Sequence, residues 1–230
     1  MRRMAGRQAP WSDVVRASIL VLGACGWLTA CTGSLFRSKA VPPSIYLLSA
    51  PPGTVAAASS TSAAAPAPTT ATLAVLKPRV RAGLDTDRIA VLYPDRRLDY
   101  FADARWSGPL DDVVQDLTVQ AFRNDARLRN VSSDASAFAS GYWLEIEVAD
   151  FQAEYASAGA PPAINVRLLA RVASAGERNI LGSFTAVARQ NATDNRLSAI
   201  VDAYERAVNT ALAEIVGGTT LTLTEALEHR

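Results

Sequence analysis

Apolar and polar positions alternate most cleanly from Gly141 onward. Tyr142, Leu144, Ile146 and Val148 fall on one side of an extended chain, with Glu145 and Glu147 on the other; a period of two marks a half-buried strand. The run from Ile164 to Val172 repeats the alternation. The stretch Ser174-Ala175-Gly176-Glu177-Arg178-Asn179 then supplies a turn, and Ile180 to Arg189 returns as its partner. An antiparallel meander with one wet face follows from this pattern. Elsewhere the period becomes helical. Leu110, Val113, Val114, Leu117 and Ala121 make one apolar stripe, introduced by Ser107 as a cap and Pro109 in the first turn. Asp111 and Asp112 complement the positive end of that helix. A second stripe carries Leu197, Ile200, Val201, Tyr204, Val208, Ala211, Leu212 and Ile215. Gly217-Gly218 is expected to end it, leaving 219–230 as a frayed C-terminal tail.

Shorter apolar runs bounded by turn residues predict further strands at Ile45–Leu48, Leu73–Leu76, Asp87–Tyr93 and Leu98–Phe101. Lys77-Pro78-Arg79-Val80 leads to a turn at Gly83. The whole reads as α+β: an antiparallel β-sheet with two amphipathic helices packed on one face. Residues 49–71 interrupt it with Ala, Ser, Thr, Pro and Gly. They lack the large apolar side chains that offset ordering entropy, so they are expected to form a disordered insertion.

The N-terminus follows neither period. Arg2, Arg3, Arg7 and Arg16 precede the apolar run Ala17–Trp27, and Leu28-Thr29-Ala30-Cys31 closes it. A basic start, a short apolar middle and a small-residue cleavage site describe a secretory signal peptide. The run falls short of the roughly 20 residues that span a bilayer as a helix. Leu-x-small-Cys also resembles the bacterial lipobox, in which the cysteine is lipidated and becomes the mature N-terminus. The expected organisation is a lipoprotein signal peptide over 1–30, lipidation at Cys31, a tether over 31–44 and a folded domain over 45–218. Leu22-Gly23-Ala24-Cys25 offers Cys25 as the alternative site, behind a shorter apolar region. An ordinary cleaved signal and an uncleaved anchor are the other uses of such a segment.

Charge and composition remove several function classes. Lys+Arg 23 against Asp+Glu 22 leaves no basic surplus for nucleic acid. Cys25 and Cys31 are the only cysteines, so the mature domain has no disulfide, catalytic thiol or thiolate metal site in its core. The single histidine, His229, stands beside the C-terminus, out of reach of a nucleophile–histidine pair. No phosphate loop, Gly-x-Ser-x-Gly elbow or metal-ligand spacing occurs. Asp85, Asp87, Asp95, Asp99 and Asp103 stand among Arg88, Arg96, Arg97 and Arg105, and read as turn and loop acids before an acid/base pair. The chain is expected not to be an enzyme and to need no cofactor or metal beyond the covalent lipid on Cys31.

The order of elements resembles the ABC-type transport auxiliary lipoprotein family. The features that carry the likeness are Cys31, Tyr46-Leu47-Leu48, Gly83-Leu84-Asp85-Thr86-Asp87-Arg88-Ile89, and Leu98–Trp106 before Pro109-Leu110. Ala104-Arg105-Trp106 ahead of a helix is the most specific of them. The resemblance runs from Cys31 to about Val216 and departs at the Ala/Ser/Pro insertion. It implies a non-catalytic periplasmic subunit of a mammalian-cell-entry-type lipid or hydrophobic-solute transporter. The implied partners are a substrate-binding subunit, a permease and an ATPase, with a homo-oligomer as a further possibility. Thr32 after the lipidated cysteine lacks the usual inner-membrane retention residue, which favours the outer membrane's periplasmic leaflet. Acylation by palmitate-type chains would supply the anchor, since two or more chains hold a protein stably.

The aromatic stretch between Tyr93 and Trp106 admits two readings. Phe101 or Tyr100 packs under the first helix, or Tyr100, Arg105 and Trp106 belong to a partner-binding surface, where aromatics and arginine are favoured anchors. An independent lipid-binding carrier and an envelope assembly lipoprotein are the competing functions.

Overall fold

The structure, a computed structural model, describes residues 42–51, 69–133 and 140–229. The signal peptide, Cys25, Cys31, most of the tether and most of the 49–71 insertion lie outside them. From Pro43 onward the chain forms one unit, whose elements are β1 (Ser44–Tyr46), β2 (Thr69–Val75), β3 (Arg79–Val80), β4 (Arg88–Leu92), β5 (Leu98–Trp106), α1 (Leu110–Asp125), β6 (Leu128–Ser132), β7 (Tyr142–Glu154), β8 (Ala163–Ser174), β9 (Ile180–Asn191) and α2 (Leu197–Glu228).

One sheet of nine strands is built around β7. On one edge β7 pairs antiparallel with β8 along its length, and β8 pairs in turn with β9, the expected meander. On the other edge three short strands follow one another, all parallel to β7: β2 at Tyr142–Leu144, β3 at Glu147–Val148 and β4 at Ala153–Glu154. The α+β class stands, and the sheet is mixed in direction. Alternation reports which face of a strand is buried and is silent on which neighbours its edges meet. β6, which no sequence pattern announced, joins β2 in parallel.

The helices form the second layer. α1 lies against β2, β3 and β6, α2 lies against β8 and β9, and the two helices touch. The expected α1 stripe is buried, with Phe122 added. Ser107 does not cap it: no side chain does, and the Leu110 N–H donates instead to the Thr86 carbonyl at 3.2 Å. The acidic first turn meets Lys77, 3.0 Å from Asp111 and 2.8 Å from Asp112. Hydrogen bonds to Asp112 and then Asp111 push the Lys77 ammonium above its ordinary range.

α2 departs from expectation at its end. Gly217-Gly218 does not stop it; the helix continues to Glu228, with Thr219, Thr220 and Leu223 buried. Gly218 serves close approach instead. A Cβ there would lie 2.8 Å from the Phe184 ring, and one turn on Thr222 sits over Gly182 with 3.0 Å to a Cβ built on it. Small residues at the crossing let α2 lie down on β9, and residues 219–228 are helix where a tail was expected.

Candidate interaction surface

β5 carries the three residues singled out by sequence, and the strand geometry separates them. Successive residues of a strand point to opposite faces, so Arg105 and Trp106 cannot share a surface. Trp106, expected on the contact surface, is 3% exposed. Its indole stands edge-on to Phe151 at 5.9 Å and to Tyr204 at 5.1 Å between centroids, while Phe151 and Tyr204 stack at 5.4 Å. This aromatic trio joins β5, β7 and α2. The Tyr204 hydroxyl donates to the Ala90 carbonyl at 2.8 Å, just before the first β4–β7 rung at Val91. Burial pushes that phenol well above its ordinary value, against an opposing backbone hydrogen bond from Ala153.

Arg105 and Tyr100 face outward together with two residues that the sequence reading had not placed at the site. Arg105 Nη1 holds both oxygens of Asp87, at 2.9 and 2.7 Å. Arg88, the cross-strand partner of Arg105, lays its guanidinium over the Tyr100 ring at 4.1 Å. The Tyr100 hydroxyl donates to the Gly83 carbonyl at 2.7 Å. Tyr100 and Phe101 are partly buried and pack against the margin of the core. Between them and Arg105 the β4–β5 register slips, and Asp103 adopts φ 51°. That bulge lengthens the expected Leu98–Phe101 strand to Trp106 and re-aims Arg105 outward. β1 then pairs with the far half, Ile45 beside Arg105 and Tyr46 beside Trp106. The resulting patch of Asp87, Arg88, Tyr100 and Arg105 combines a paired cation, a stacked cation and an aromatic face. Chemically it suits contact with another macromolecule.

Two more of the acids singled out by sequence share one arginine. Asp95 and Asp99 both pair with Arg97, at 3.6 and 2.9 Å. On the outer face of the meander, Glu145 meets Arg79 and Arg171, Asp150 meets Arg81 and Arg167, and Glu154 meets Arg189. Among the described residues no group of three or more His, Cys, Asp or Glu is placed to hold a metal, and no helix is long and apolar enough to cross a membrane.

A mixed sheet of nine strands covered by two helices defines the fold class. The family model for the ABC-type transport auxiliary lipoprotein component matches residues 46–216. The chain belongs to this family, and so to the transport-associated lipoproteins of the cell envelope. Among solved structures it is similar to protein XCC0632 of Xanthomonas campestris, at 24% identity and TM-score 0.69 over 80% of this chain and 99% of that one. A second, an uncharacterized protein, matches at 14% identity and TM-score 0.60 over 77% of this chain and 99% of that one. At these identities the likeness is one of fold. A comparison with curated proteins returned no match.

Proposed function

We propose that the chain is a non-catalytic, lipid-anchored periplasmic subunit of a mammalian-cell-entry-type ABC transport system for lipid or another hydrophobic solute. The observation that carries this reading is the family match across residues 46–216, which takes in nearly every described element. In this reading Cys31 bears the lipid and holds the domain at the periplasmic face of the outer membrane. The partners are the substrate-binding subunit, the permease and the ATPase. The patch of Arg88, Arg105 and the half-buried Tyr100 is the contact surface; Trp106 supports it from beneath by holding β5 to the core. No cofactor enters the mechanism, which consists of binding and positioning the transporter's parts.

The test is in-cell crosslinking of the tagged lipoprotein with identification of what co-purifies. Recovery of the substrate-binding subunit, permease or ATPase is the expected result. Recovery of none of them would overturn the reading, and a lipid retained by the isolated domain would favour an independent carrier. Mass spectrometry of the mature N-terminus checks the anchor. Cys31→Ser should abolish lipidation, and a persistent acyl group would transfer the role to Cys25.

A further inference from the structure

The β4–β5 hairpin places an arginine where the backbone favours glycine. The Tyr93 N–H donates to the Arg97 carbonyl at 3.0 Å and the Arg96 N–H to the Tyr93 carbonyl at 2.9 Å, while Arg96 takes φ 66°. This is a three-residue loop, a type I turn followed by a left-handed residue, in which the last position usually carries glycine. A side chain there is strained, and strain of this kind concentrates at functional sites.

The rest of the hairpin is fixed by its own contacts. Arg97 lies over the Tyr93 ring at 4.5 Å and pairs with Asp99, and Tyr93 stacks on Tyr155 at 5.7 Å. Arg96 has no ion pair among the described residues. Its side chain lines a groove of about 330 Å³ together with Arg81, Leu84, Leu92 and Leu98. The groove opens where β7 lacks a parallel neighbour: β3 pairs it at Glu147–Val148 and β4 only from Ala153. A bulge between Val148 and Asp150 marks the gap. Gln152, 7% exposed, closes it, accepting from the Phe151 N–H at 2.8 Å and donating to Glu154 at 3.0 Å.

Asp150 and Glu154 also line this groove, and both are compensated by other arginines. Asp150 lies 2.5 Å from Arg167 and only 3.4 Å from Arg81; Glu154 pairs with Arg189 at 3.5 Å. Arg81 can therefore turn to a ligand without stranding Asp150, and Arg96 has no partner to give up. Among the described residues Arg96 is thus unpaired, and Arg81 is held only by a carboxylate it shares with Arg167, beside Leu84, Leu92 and Leu98.

We infer that this groove binds a phosphate-type oxyanion between the guanidiniums of Arg96 and Arg81, with apolar parts of the ligand against Leu92 and Leu98. Two forked donors from separate segments match the several oxygens of a phosphate, whereas a carboxylate is satisfied by a single fork. The same chemistry is offered by free phosphate and by a lipid headgroup. The inference stands on the groove alone and does not depend on which transporter the chain serves.

The test is calorimetric titration of the full chain, in a neutral detergent, with inorganic phosphate and with dihexanoylphosphatidic acid. Arg178 provides the control: it has the same left-handed backbone, φ 54°, in the β8–β9 turn at the opposite end of β7. Arg96→Gly should weaken binding by about tenfold or more, the loss of one charge-assisted pair, without lowering the thermal midpoint. Arg178→Gly should bind like the wild type, and Arg81→Gln should weaken binding with Arg96 intact. Tighter binding of the short-chain lipid than of phosphate assigns the site to a headgroup; equal binding assigns it to free phosphate. Binding of neither probe, unchanged affinity in Arg96→Gly, or equal loss in both glycine variants would overturn the inference.

Discussion

Tyr204 closes a seam that the backbone leaves open. β4 reaches β7 only from Val91 onward, so the Ala90 carbonyl needs another donor, and the Tyr204 hydroxyl supplies it from α2. Tyr204→Phe would leave that buried acceptor unpaired and should lower stability by about 1–3 kcal/mol in chemical denaturation. The phenol also couples stability to alkali. Its folded pKa is raised by burial, whereas the unfolded value is about 10. Its contribution is therefore fully present below about pH 10 and is lost as the pH rises toward the folded value. The thermal midpoint of the wild type should fall more steeply above pH 10 than that of Tyr204→Phe; parallel curves would contradict this. Trp106→Ala removes one ring of the mutually contacting aromatic trio and should cost about 3–5 kcal/mol. It is consequently a poor probe of partner binding. Arg105→Ala is the better one, because an exposed ion pair such as Arg105–Asp87 is worth no more than about 1 kcal/mol. It should leave the denaturation midpoint nearly unchanged while reducing crosslinking to the transporter subunits.

At the scale of the element, the two glycines of α2 separate propensity from packing. Gly217 has nothing within 4 Å of a built Cβ, whereas at Gly218 the Phe184 ring stands 2.8 Å away. Gly217→Ala should stabilise the protein by up to about 1 kcal/mol through helix propensity. Gly218→Ala gains the same propensity but displaces the ring, and should be less stable than Gly217→Ala by about 1–3 kcal/mol. Equal midpoints for the two variants would show that α2 does not bear on Phe184. A glycine pair at the end of an apolar stripe reads as a helix stop because both meanings look alike in one dimension. Leu223, which continues the same stripe five residues past Gly218 and is buried, was the available clue. β5 presents the converse case. Its expected strand stopped at Phe101, and the irregularity at Asp103, beyond which Arg105 points out and Trp106 in, leaves no mark in the apolar pattern.

For the whole molecule, stability rests on the interface between the sheet and the two helices, while charge is spread over the opposite face. The arginines that pair with Glu145, Asp150 and Glu154 are exposed, and the carboxylates less so, so together they direct the surface more than they hold the fold. Raising the salt from 0.05 to 0.5 M should change the unfolding free energy by no more than about 1 kcal/mol. A larger drop would mean that these pairs act as a structural network.

Which residues are interior is written into the order of the chain, because burial imposes a period of two or of 3.6 on it. Ile164–Val172, Leu110–Ala121 and the stripe from Leu197 to Ile215 were legible for that reason. The leader with its candidate Cys31 is an expectation from the order of charge, apolarity and small residues alone, and lies outside the described residues. The directions of β2, β3 and β4 along β7, the run of α2 past Gly218, the retreat of Trp106 into the core and the groove lined by Arg96 emerge only in the folded chain. Each of these depends on which distant segments meet. Pairing partners, close approaches and uncompensated charges are properties of contacts, and local periodicity does not encode them.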